Sequence, residues 1–420
     1  MREWPVSSIG AQATLQRGFD ITRKEQRIGN FPVISSGGVS SFHDEPKVKG
    51  PGVVLGRKGV VGSVYYEESD FWPHDTTLWV KDFHGNHERF VYYFFRSIAT
   101  RLAALDVGSA NPTLNRNHVH PIEFRWPPRC AQEKIVEVLG SLDDKIDLNR
   151  RMNETLEAMG QAIFRDWFVD FGPTRRKLNG ATDPVEIMGG LVQDANRAQT
   201  LADLFPAKLG NEGLPDGWKE SPFGEFVEII GGGTPKTTVT EFWNGSIPWF
   251  SVVDTPEEGA VFVIQTEKSI TEAGLMSSSA RLVDAGTTII SARGTVGNLA
   301  IATEPMTFNQ SCYALRGHNG VGNYFVYLAS RELVNQLKSM AHGSVFSTIT
   351  RATFEAISFS RSDVRIFSQF EEIALPLFEK IRASVFENRS LAATRDLLLP
   401  KLMSGEIRLS DAQHLMEAAQ

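Results

Sequence analysis

The sequence predicts an α/β (α+β) protein with two pseudo-repeated, sheet-containing domains separated by two long antiparallel helices. Three observations predict this fold class. Segments of the first half return in the second at a constant offset, each half contains short β-branched runs broken by glycine, and each half ends in apolar residues at helical spacing. Two copies of one structural unit usually form a pseudo-twofold object, so we expect a function with two similar parts.

The repeat keeps one register over most of each half. The glycine turn at Gly59 returns at Gly294, and 294 minus 59 is 235. The same offset relates further pairs: Thr113-Leu114 and Thr348-Ile349, Lys145-Ile146 and Lys380-Ile381, and Asn153 and Asn388. Nearer the N-terminus the offset between Gly10 and Gly224 is 214, so the second copy gains 21 residues (235 minus 214), which belong in a loop.

Composition sets limits on function. The 420 residues are 41 % hydrophobic and 22 % charged, as in an ordinary globular protein of several domains. Two cysteines exclude a disulfide framework and a multi-thiolate zinc site. The N-terminus does not resemble a signal peptide and no apolar run could span a bilayer, so we expect a cytoplasmic protein. The net charge of −7 argues against a general nucleic-acid coat but permits a local basic groove.

Each half has a predicted β-hairpin followed by helix. The β-branched runs 52–56 and 60–66 in the first half, and 287–290 and 296–301 in the second, read as strands joined through a glycine turn. Apolar residues recur at helical spacing in 86–105 and 322–340, which predicts a helix in each half.

A long helix is predicted at the end of each half. The apolar seam of the first contains Ile135, Leu139, Leu142, Ile146, Met152, Leu156, Met159, Ile163 and Trp167, and that of the second contains Ile373, Leu377, Ile381, Val385, Leu391, Leu398 and Leu402. We expect each helix to bend or start at Gly140-Ser141 and at Pro376. The uninterrupted part of the first would be about 40 Å long. Asn149 falls on the seam, as a polar residue that sets register does.

The domain boundaries follow from these elements. We place the repeated domains at 1–130 and 214–365 and the helices at 131–170 and 366–410. The segment 171–213 is rich in Gly and Pro pairs and is predicted as a linker, in which 191–204 could form one short helix.

Basic residues recur at the hairpin turns. Arg57 and Lys58 in the first copy and Arg293 in the second flank glycines that would let the backbone approach a partner closely. Such residues suit phosphate contact or guanine in the major groove, whereas the alternative is a tight turn with solvated charges. Arg116 and Arg351, again 235 apart, are further candidates for phosphate contact.

Polar segments follow a Gly-Ser pair in both copies. Residues 111–116 and 347–351 could cap a helix or line a DNA groove, and Asn115 and Thr350 are the candidates for DNA contact among them. The preceding Ser109 and Ser344 fit either role equally.

The pair His74-Asp75 aligns with Asn309-Gln310. A catalytic pair would hardly become an amide pair in its twin, whereas residues that read base edges are free to differ between two half-sites. We therefore assign His74 and Gln310 to DNA contact; the alternative is that they are surface loop residues. The sequence contains no phosphate-binding loop, dinucleotide fingerprint, zinc-protease motif or methyltransferase motif, so it shows no catalytic centre.

These features together resemble one family. The doubled plan, the glycine hairpins, the segment 111–116, the helix 142–168, the hexapeptide 166–171 and the C-terminal stretch 398–407 are similar to the specificity subunit of type I restriction-modification enzymes. The motif Gly-Gly-Thr-Pro-Lys at 232–236 is also similar, but the first copy lacks it, which leaves the start of its recognition domain less defined.

The resemblance implies two target-recognition domains, each reading one half of a split, asymmetric DNA sequence. It implies that the helices act as a spacer and dock two methyltransferase subunits, to which two restriction subunits can be added to complete the restriction complex. Their seam residues would serve this role: Leu142, Ile146, Leu156, Ile163, Leu377, Ile381, Leu391 and Leu398. The chain itself would be non-catalytic and hold no cofactor or metal; S-adenosylmethionine would bind the methyltransferase subunit, and ATP and Mg²⁺ the restriction subunit. The alternative is a pseudo-twofold protein-binding scaffold without DNA specificity.

Overall fold

The computed structural model describes residues 4–105, 113–210, 212–340 and 348–407. The chain forms two compact units. Unit 1 comprises Met1–Ile146 and Asn388–Gln420, and unit 2 comprises Asp147–Glu387. Each unit contains the sheets of one repeat and a part of each long helix.

The elements of the first repeat begin with three short ones, β1 (Val6–Ser8), α1 (Ile9–Gln12) and β2 (Thr14–Arg17). Six strands follow: β3 (Phe31–Ser35), β4 (Gly38–His43), β5 (Gly52–Gly56), β6 (Val64–Glu67), β7 (Trp72–Pro73) and β8 (Thr77–Asp82). The repeat ends with α2 (Glu88–Ser97), α3 (Ala99–Ala103), α4 (Arg116–Val119), β9 (Glu123–Arg125) and the long helix α5 (Arg129–Phe168).

Between the repeats, the described residues form three helices, α6 (Gly172–Leu178), α7 (Pro184–Ile187) and α8 (Ala195–Ala202). The part of the second repeat that the structure describes has ten strands: β10 (Lys219–Pro222), β11 (Val227–Gly231), β12 (Trp243–Phe250), β13 (Phe262–Val263), β14 (Lys268–Ile270), β15 (Thr288–Ser291), β16 (Leu299–Ala302), β17 (Thr307–Phe308), β18 (Cys312–Gly317) and β19 (Ser358–Arg361). Its helices are α9 (Glu272–Met276), α10 (Asn323–Met340), α11 (Arg351–Ala356) and the long helix α12 (Val364–Ser404).

Both units contain the same antiparallel four-stranded core. In unit 1 its order is β2-β8-β5-β6, and in unit 2 it is β11-β18-β15-β16, with β13 added in parallel beside β16. The predicted hairpins are confirmed, since β5 pairs with β6 and β15 with β16. The register is also shared, because Arg17 lies opposite Leu78 and Gly231 opposite Tyr313, and 313 minus 78 is 235.

The remaining sheets repeat as well. Order β4-β3-β7 in unit 1 corresponds to β14-β12-β17 in unit 2, each with one antiparallel and one parallel pairing. The short pairs β1-β9 and β10-β19 bring the ends of each repeat together. The predicted helices are present too, although the first is divided after Ser97 into α2 and α3.

Aromatic residues of the helices fill the core of each unit. In unit 1, Phe94 packs edge-on against Trp126 at 4.5 Å between ring centroids. In unit 2, Phe168 stacks on Phe367 at 5.5 Å and meets Phe325 edge-on at 5.0 Å. Such pairs add to the area they bury, by about 0.5–1.5 kcal/mol each.

The long helices pack antiparallel within unit 2, as the seam predicts. Asn149 lies near Glu387, to which its amide donates at 2.8 Å, and Gly160 lies near Phe378, so the contacts run in opposite directions along the two helices. Asn149 is buried, as a polar seam residue should be.

Of the two alternatives expected at Gly140-Ser141 and Pro376, a bend or a start of the long helix, the start is wrong. Helix α5 begins twelve residues before Ser141, at Arg129, and α12 twelve residues before Pro376, at Val364. The neighbours of Pro376, Ala374 and Phe378, are fully buried, and their packing outweighs the local cost of the proline.

The segment 171–213, predicted as a linker, contains more helix than the one expected within 191–204, where α8 (Ala195–Ala202) lies. Met188 and Leu201 belong to the core of unit 2, and the Lys177 ammonium donates to the carbonyls of Ala202 and Phe205, both at 2.7 Å. Its glycines and prolines mark the ends of three short helices. The glycines and prolines therefore predict the positions of the turns, but they do not predict that the helices bury an apolar face.

Within the described residues, no helix combines the length and the apolar character that crossing a membrane requires.

Candidate nucleic-acid interface

Four segments of unit 1 meet at one end of its central strands. The amide of Phe19 donates to the carbonyl of Pro73 at 2.8 Å, and that of Arg57 to the carbonyl of Thr76 at 2.9 Å. The amide of Leu114 then donates to the carbonyl of Arg57 at 2.9 Å. We call this surface edge 1 (residues 17–20, 56–58, 73–77 and 113–116).

The corresponding segments of unit 2 are joined in the same way. The amide of Gly233 donates to the carbonyl of Phe308 at 2.9 Å, that of Ala292 to Ser311 at 2.7 Å, and that of Ile349 to Ala292 at 2.9 Å. The last two bonds lie 235 residues beyond those of edge 1, since 292 minus 57, 311 minus 76 and 349 minus 114 all equal 235. We call this surface edge 2 (residues 231–234, 291–293, 308–312 and 348–351).

Glycines shape the basic turn at each edge. Gly59 and Gly294 have φ values of 81° and 79°, a left-handed conformation that favours glycine. The preceding Lys58 and Arg293 are exposed, and each forms an isolated β-bridge, to Thr113 and Thr348 respectively. The structure thus brings together the basic turn and the polar segment that follows the Gly-Ser pair in each repeat.

The start of the first recognition domain has an equivalent of the Gly-Gly-Thr-Pro-Lys motif that the sequence comparison missed. Gly18 and Gly232 are 214 residues apart, and a Cβ atom at either would lie 2.1 Å from a carbonyl oxygen, of His74 and Asn309 respectively. Only glycine permits this approach. One glycine of the motif is thus retained in the first copy, and the offset of 214 was the signal that could have identified it.

The polar candidates Asn115 and Thr350 start short helices. The Asn115 side chain accepts from the amide of Asn117 at 3.0 Å, and Thr350 forms a capping box with Thr353. The sequence left open whether these segments cap a helix or line a DNA groove. Both side chains cap a helix and are also exposed.

The two aligned arginines lie beside these caps. Arg116 and Arg351 are both exposed, and Arg351 donates to the carbonyl of Ile229 at 2.8 Å, which ties it to strand β11. Ser109 and Ser344, and residues 111–112 and 347 of the two polar segments, lie outside the described residues.

Edge 1 carries a charged cluster that sequence reasoning identified only in part. His74 Nδ1 lies 3.2 Å from an Asp75 carboxylate oxygen and 3.0 Å from the Thr76 hydroxyl. The other Asp75 oxygen accepts from Arg17 at 2.7 Å. Arg17 was missed because a single arginine at the end of a strand carries no motif.

The same cluster affects Arg57. Its guanidinium donates to the backbone carbonyl of Asp75 at 3.4 Å. Burial lowers the pKa of Arg57, and the positive charge of Arg17 lowers it further. Two guanidinium groups therefore flank Asp75 at edge 1.

Edge 2 has neutral groups at the corresponding place. The Gln310 amide oxygen accepts from the hydroxyl of Thr234, which belongs to the Gly-Gly-Thr-Pro-Lys motif. The two edges thus share a backbone but present different donors and acceptors. Such an arrangement is suited to binding two related but unequal targets.

Comparison with known proteins agrees with this repeated geometry. The chain matches the family described as type I restriction modification DNA specificity domain over residues 1–158 and 215–374, one stretch for each repeat. The chain belongs to this family. The two matches explain the constant offset, because each repeat is one copy of the specificity domain.

Curated relatives of the chain are specificity subunits. The type I restriction enzyme HindI specificity subunit of Haemophilus influenzae is 28 % identical over 70 % of this chain and 71 % of its own length. The MjaIX specificity subunit of Methanocaldococcus jannaschii is 23 % identical over 78 % of this chain and 71 % of its own. The crystal structure of a type I S subunit from M. genitalium matches with a TM-score of 0.52 over 95 % of this chain and 96 % of that one, at 16 % identity, and this supports the fold.

Proposed function

We propose that the chain is the sequence-specific DNA-recognition subunit of a type I restriction-modification complex. Its recognition domains, at 1–130 and 214–365, each read one half of a bipartite, asymmetric DNA site. The observation that carries the proposal is the repeated edge, in which matched backbone bonds present different side chains.

The asymmetry of the site follows from the side chains. His74 and Asp75 in edge 1 are replaced by Asn309 and Gln310 in edge 2. The amide of asparagine or glutamine pairs with adenine, whereas the imidazole and carboxylate of edge 1 present different donors and acceptors. Two edges with matched backbone bonds and different side chains are therefore suited to different half-sites.

The proposed DNA contacts follow from exposure at the edges. Lys58, Arg293, Arg116 and Arg351 supply positive charge for phosphates or guanine, and His74 and Gln310 supply polar groups for base edges. Arg57, Asn115 and Thr350 lie at the same edges and are proposed as further DNA contacts.

The long helices serve as spacer and docking surface for two methyltransferase subunits. Most of the seam residues named for this role are buried, so they hold the helices together and do not meet a partner. They are Leu142, Ile146, Ile381, Leu391 and Leu398, with Leu156, Ile163 and Leu377 partly buried.

Other positions on the helices of unit 2 are open to a partner. Leu148 and Met159 on α5 are exposed, as is Leu375 on α12. Leu148 and Met159 are eleven residues apart, a spacing that returns to the same side of a helix after three turns. Exposed apolar side chains at this spacing suit a protein partner.

The chemistry belongs to the partners. The methyltransferase subunits bind S-adenosylmethionine, and two restriction subunits, with ATP and Mg²⁺, complete the nuclease. Phosphate contacts supply much of the affinity of a protein for DNA. A net charge of −7 therefore fits a subunit that binds DNA only together with its partner subunits. The rival role of a protein-binding scaffold is not favoured for a member of a DNA specificity family.

A map of modified adenines in the host genome, with and without this gene, tests the proposal. We expect a two-part motif with a fixed gap that disappears on deletion and returns when the gene is restored. An unchanged map, in cells that express the methyltransferase subunit, would refute the proposed function.

A further inference from the structure

The ion pair between Arg17 and Asp75 is held in place at edge 1. Arg17 Nη2 lies 2.7 Å from an Asp75 oxygen, and the second Asp75 oxygen lies 3.2 Å from His74. The Asp75 side chain is only 17 % exposed, whereas that of Arg17 is 55 % exposed. The carboxylate therefore fixes one side of the guanidinium, while much of Arg17 remains open to a ligand.

The charge around this pair favours a ligand with hydrogen-bond acceptors. Arg57 donates to the backbone carbonyl of Asp75, so two guanidinium groups lie near the carboxylates of Asp75 and Asp20. Lys58 adds a third positive charge at the same edge. Ligand atoms of Asp20, His74 and Asp75 lie within 4.8 Å of one another, but Arg17 already supplies the positive charge that this group would attract.

Guanine presents the matching pattern. Its O6 and N7 atoms are adjacent acceptors in the major groove, and the planar guanidinium donates to both at once. A carboxylate that holds the guanidinium beforehand reduces the entropy lost on binding. Phosphate offers acceptors too, but it carries no sequence information.

The pair has no counterpart in edge 2. In unit 1, Arg17 lies opposite Leu78 on the neighbouring strand. The equivalent position in unit 2, opposite Tyr313, is occupied by Gly231. The residue corresponding to Asp75 is Gln310, since 310 minus 75 is 235. Both partners of the ion pair are therefore replaced in the second repeat.

We propose that Arg17, positioned by Asp75, reads a guanine in the half-site bound by unit 1, and that unit 2 reads no guanine from the equivalent position. This inference rests on the proposed function and deepens it, because it assigns one base of the target to one side chain.

The test is a methylation map of cells that express the full chain with its methyltransferase subunit. The chain is used as wild type, as Arg17→Gln, and as Arg27→Gln. Arg27 is the matched control, because it forms a similar ion pair with Asp44 at 2.6 Å and is 57 % exposed in the same unit, but outside edge 1. Thermal unfolding of each purified variant verifies that it folds.

We expect the wild-type motif to contain a fixed G·C pair that Arg17→Gln relaxes to other base pairs. The preference at this position falls by roughly 5- to 150-fold, the value of one good arginine–guanine pair. The other half of the motif and the map of Arg27→Gln stay unchanged. Asp75→Asn relaxes the same position to a smaller extent, because Arg17 is then present but less well oriented.

Three outcomes would overturn the inference. They are a motif without a G·C pair in either half, a motif that Arg17→Gln leaves intact, and an even fall of methylation across an unchanged motif, which identifies a phosphate contact. In each of these the motif still depends on the chain, so the proposed function stands. A map that does not depend on the chain at all refutes the proposed function instead.

Discussion

Arg395 donates to Asp143 at 2.6 Å within unit 1, and the corresponding positions in unit 2 hold an apolar contact. Gly160 corresponds to Arg395 and Phe378 to Asp143, since both pairs differ by 235. Tyr93, whose hydroxyl donates to Asp143 at 2.7 Å, is replaced by Leu328 in the same way. One site of the repeat is therefore packed by an ion pair in unit 1 and by aromatic and aliphatic groups in unit 2.

Asp143→Ala should destabilise the protein by about 3 kcal/mol. Arg395 is only 11 % exposed and would lose its most buried partner, although it keeps a bond to Asp396 at 2.9 Å. Urea unfolding measures the change. Glu133→Ala, which breaks the exposed pair with Arg129, is the control and should cost about 0.5 kcal/mol or less. Equal effects of the two variants would contradict the structural role of the Asp143 pair.

Gly160→Leu should destabilise unit 2 by about 1–3 kcal/mol through overpacking. A Cβ atom at Gly160 would lie 3.3 Å from the ring of Phe378 and 3.6 Å from Leu328, which leaves no room for a longer side chain. The double variant Gly160→Leu with Phe378→Leu should recover part of the loss in thermal unfolding. A single variant as stable as the wild type would show that this contact is loose.

Lys58→Ala and Arg293→Ala should each weaken recognition of a different half-site. Each residue is exposed on a glycine turn of its own edge. Competition binding of the assembled complex to DNA with one altered half-site measures the effect, about 1–3 kcal/mol of discrimination per variant. Each variant is the control of the other. Uniform loss over unrelated sequences would identify both as phosphate contacts.

Leu148→Glu together with Met159→Glu should abolish copurification with the methyltransferase subunit. Both residues are exposed on one side of α5, where a charge would prevent apolar docking but leave the core intact. Leu178→Glu on α6 is the control, because Leu178 is equally exposed but lies on a different helix. Retention of the subunit by the double variant would place the docking surface elsewhere.

The two cysteines should differ in reactivity. Burial raises the pKa of Cys312 to about 12, and its thiol is therefore protonated and inaccessible at pH 8, whereas Cys130 is exposed. A thiol-specific reagent should modify one cysteine in the folded protein at pH 8 and both in denaturant. Rapid labelling of Cys312 under native conditions would show that strand β18 opens locally.

Much of the fold could be predicted from periodicity and repeat register. The strands around Gly59 and Gly294 and the apolar seams follow from local sequence, because spacing alone determines which residues share a face. Helix starts could not be predicted in this way. The cost of Pro376 is offset by the burial of Phe378, a tertiary contact that no local pattern reveals.

The candidate site was predicted only in part for a similar reason. Lys58, Arg293 and Gln310 lie at the edges because they belong to recurring motifs, and recurrence is visible in the sequence. Arg17 does not recur, since Gly231 replaces it, and its importance comes from a carboxylate 58 positions away in the chain. Contacts between distant segments that are present in one copy alone have no sequence signature.

The hydrogen bonds that shape edges 1 and 2 join backbone amides to backbone carbonyls. Glycines at these edges allow neighbouring backbone segments to approach closely. The outward side chains can therefore change without disturbing the frame, since surface substitutions generally alter stability by no more than about 0.5 kcal/mol. Under the proposed function, a single substitution at an edge can therefore change the target sequence while the fold persists. Selection for recognition and selection for folding then act on separate sets of residues in one chain.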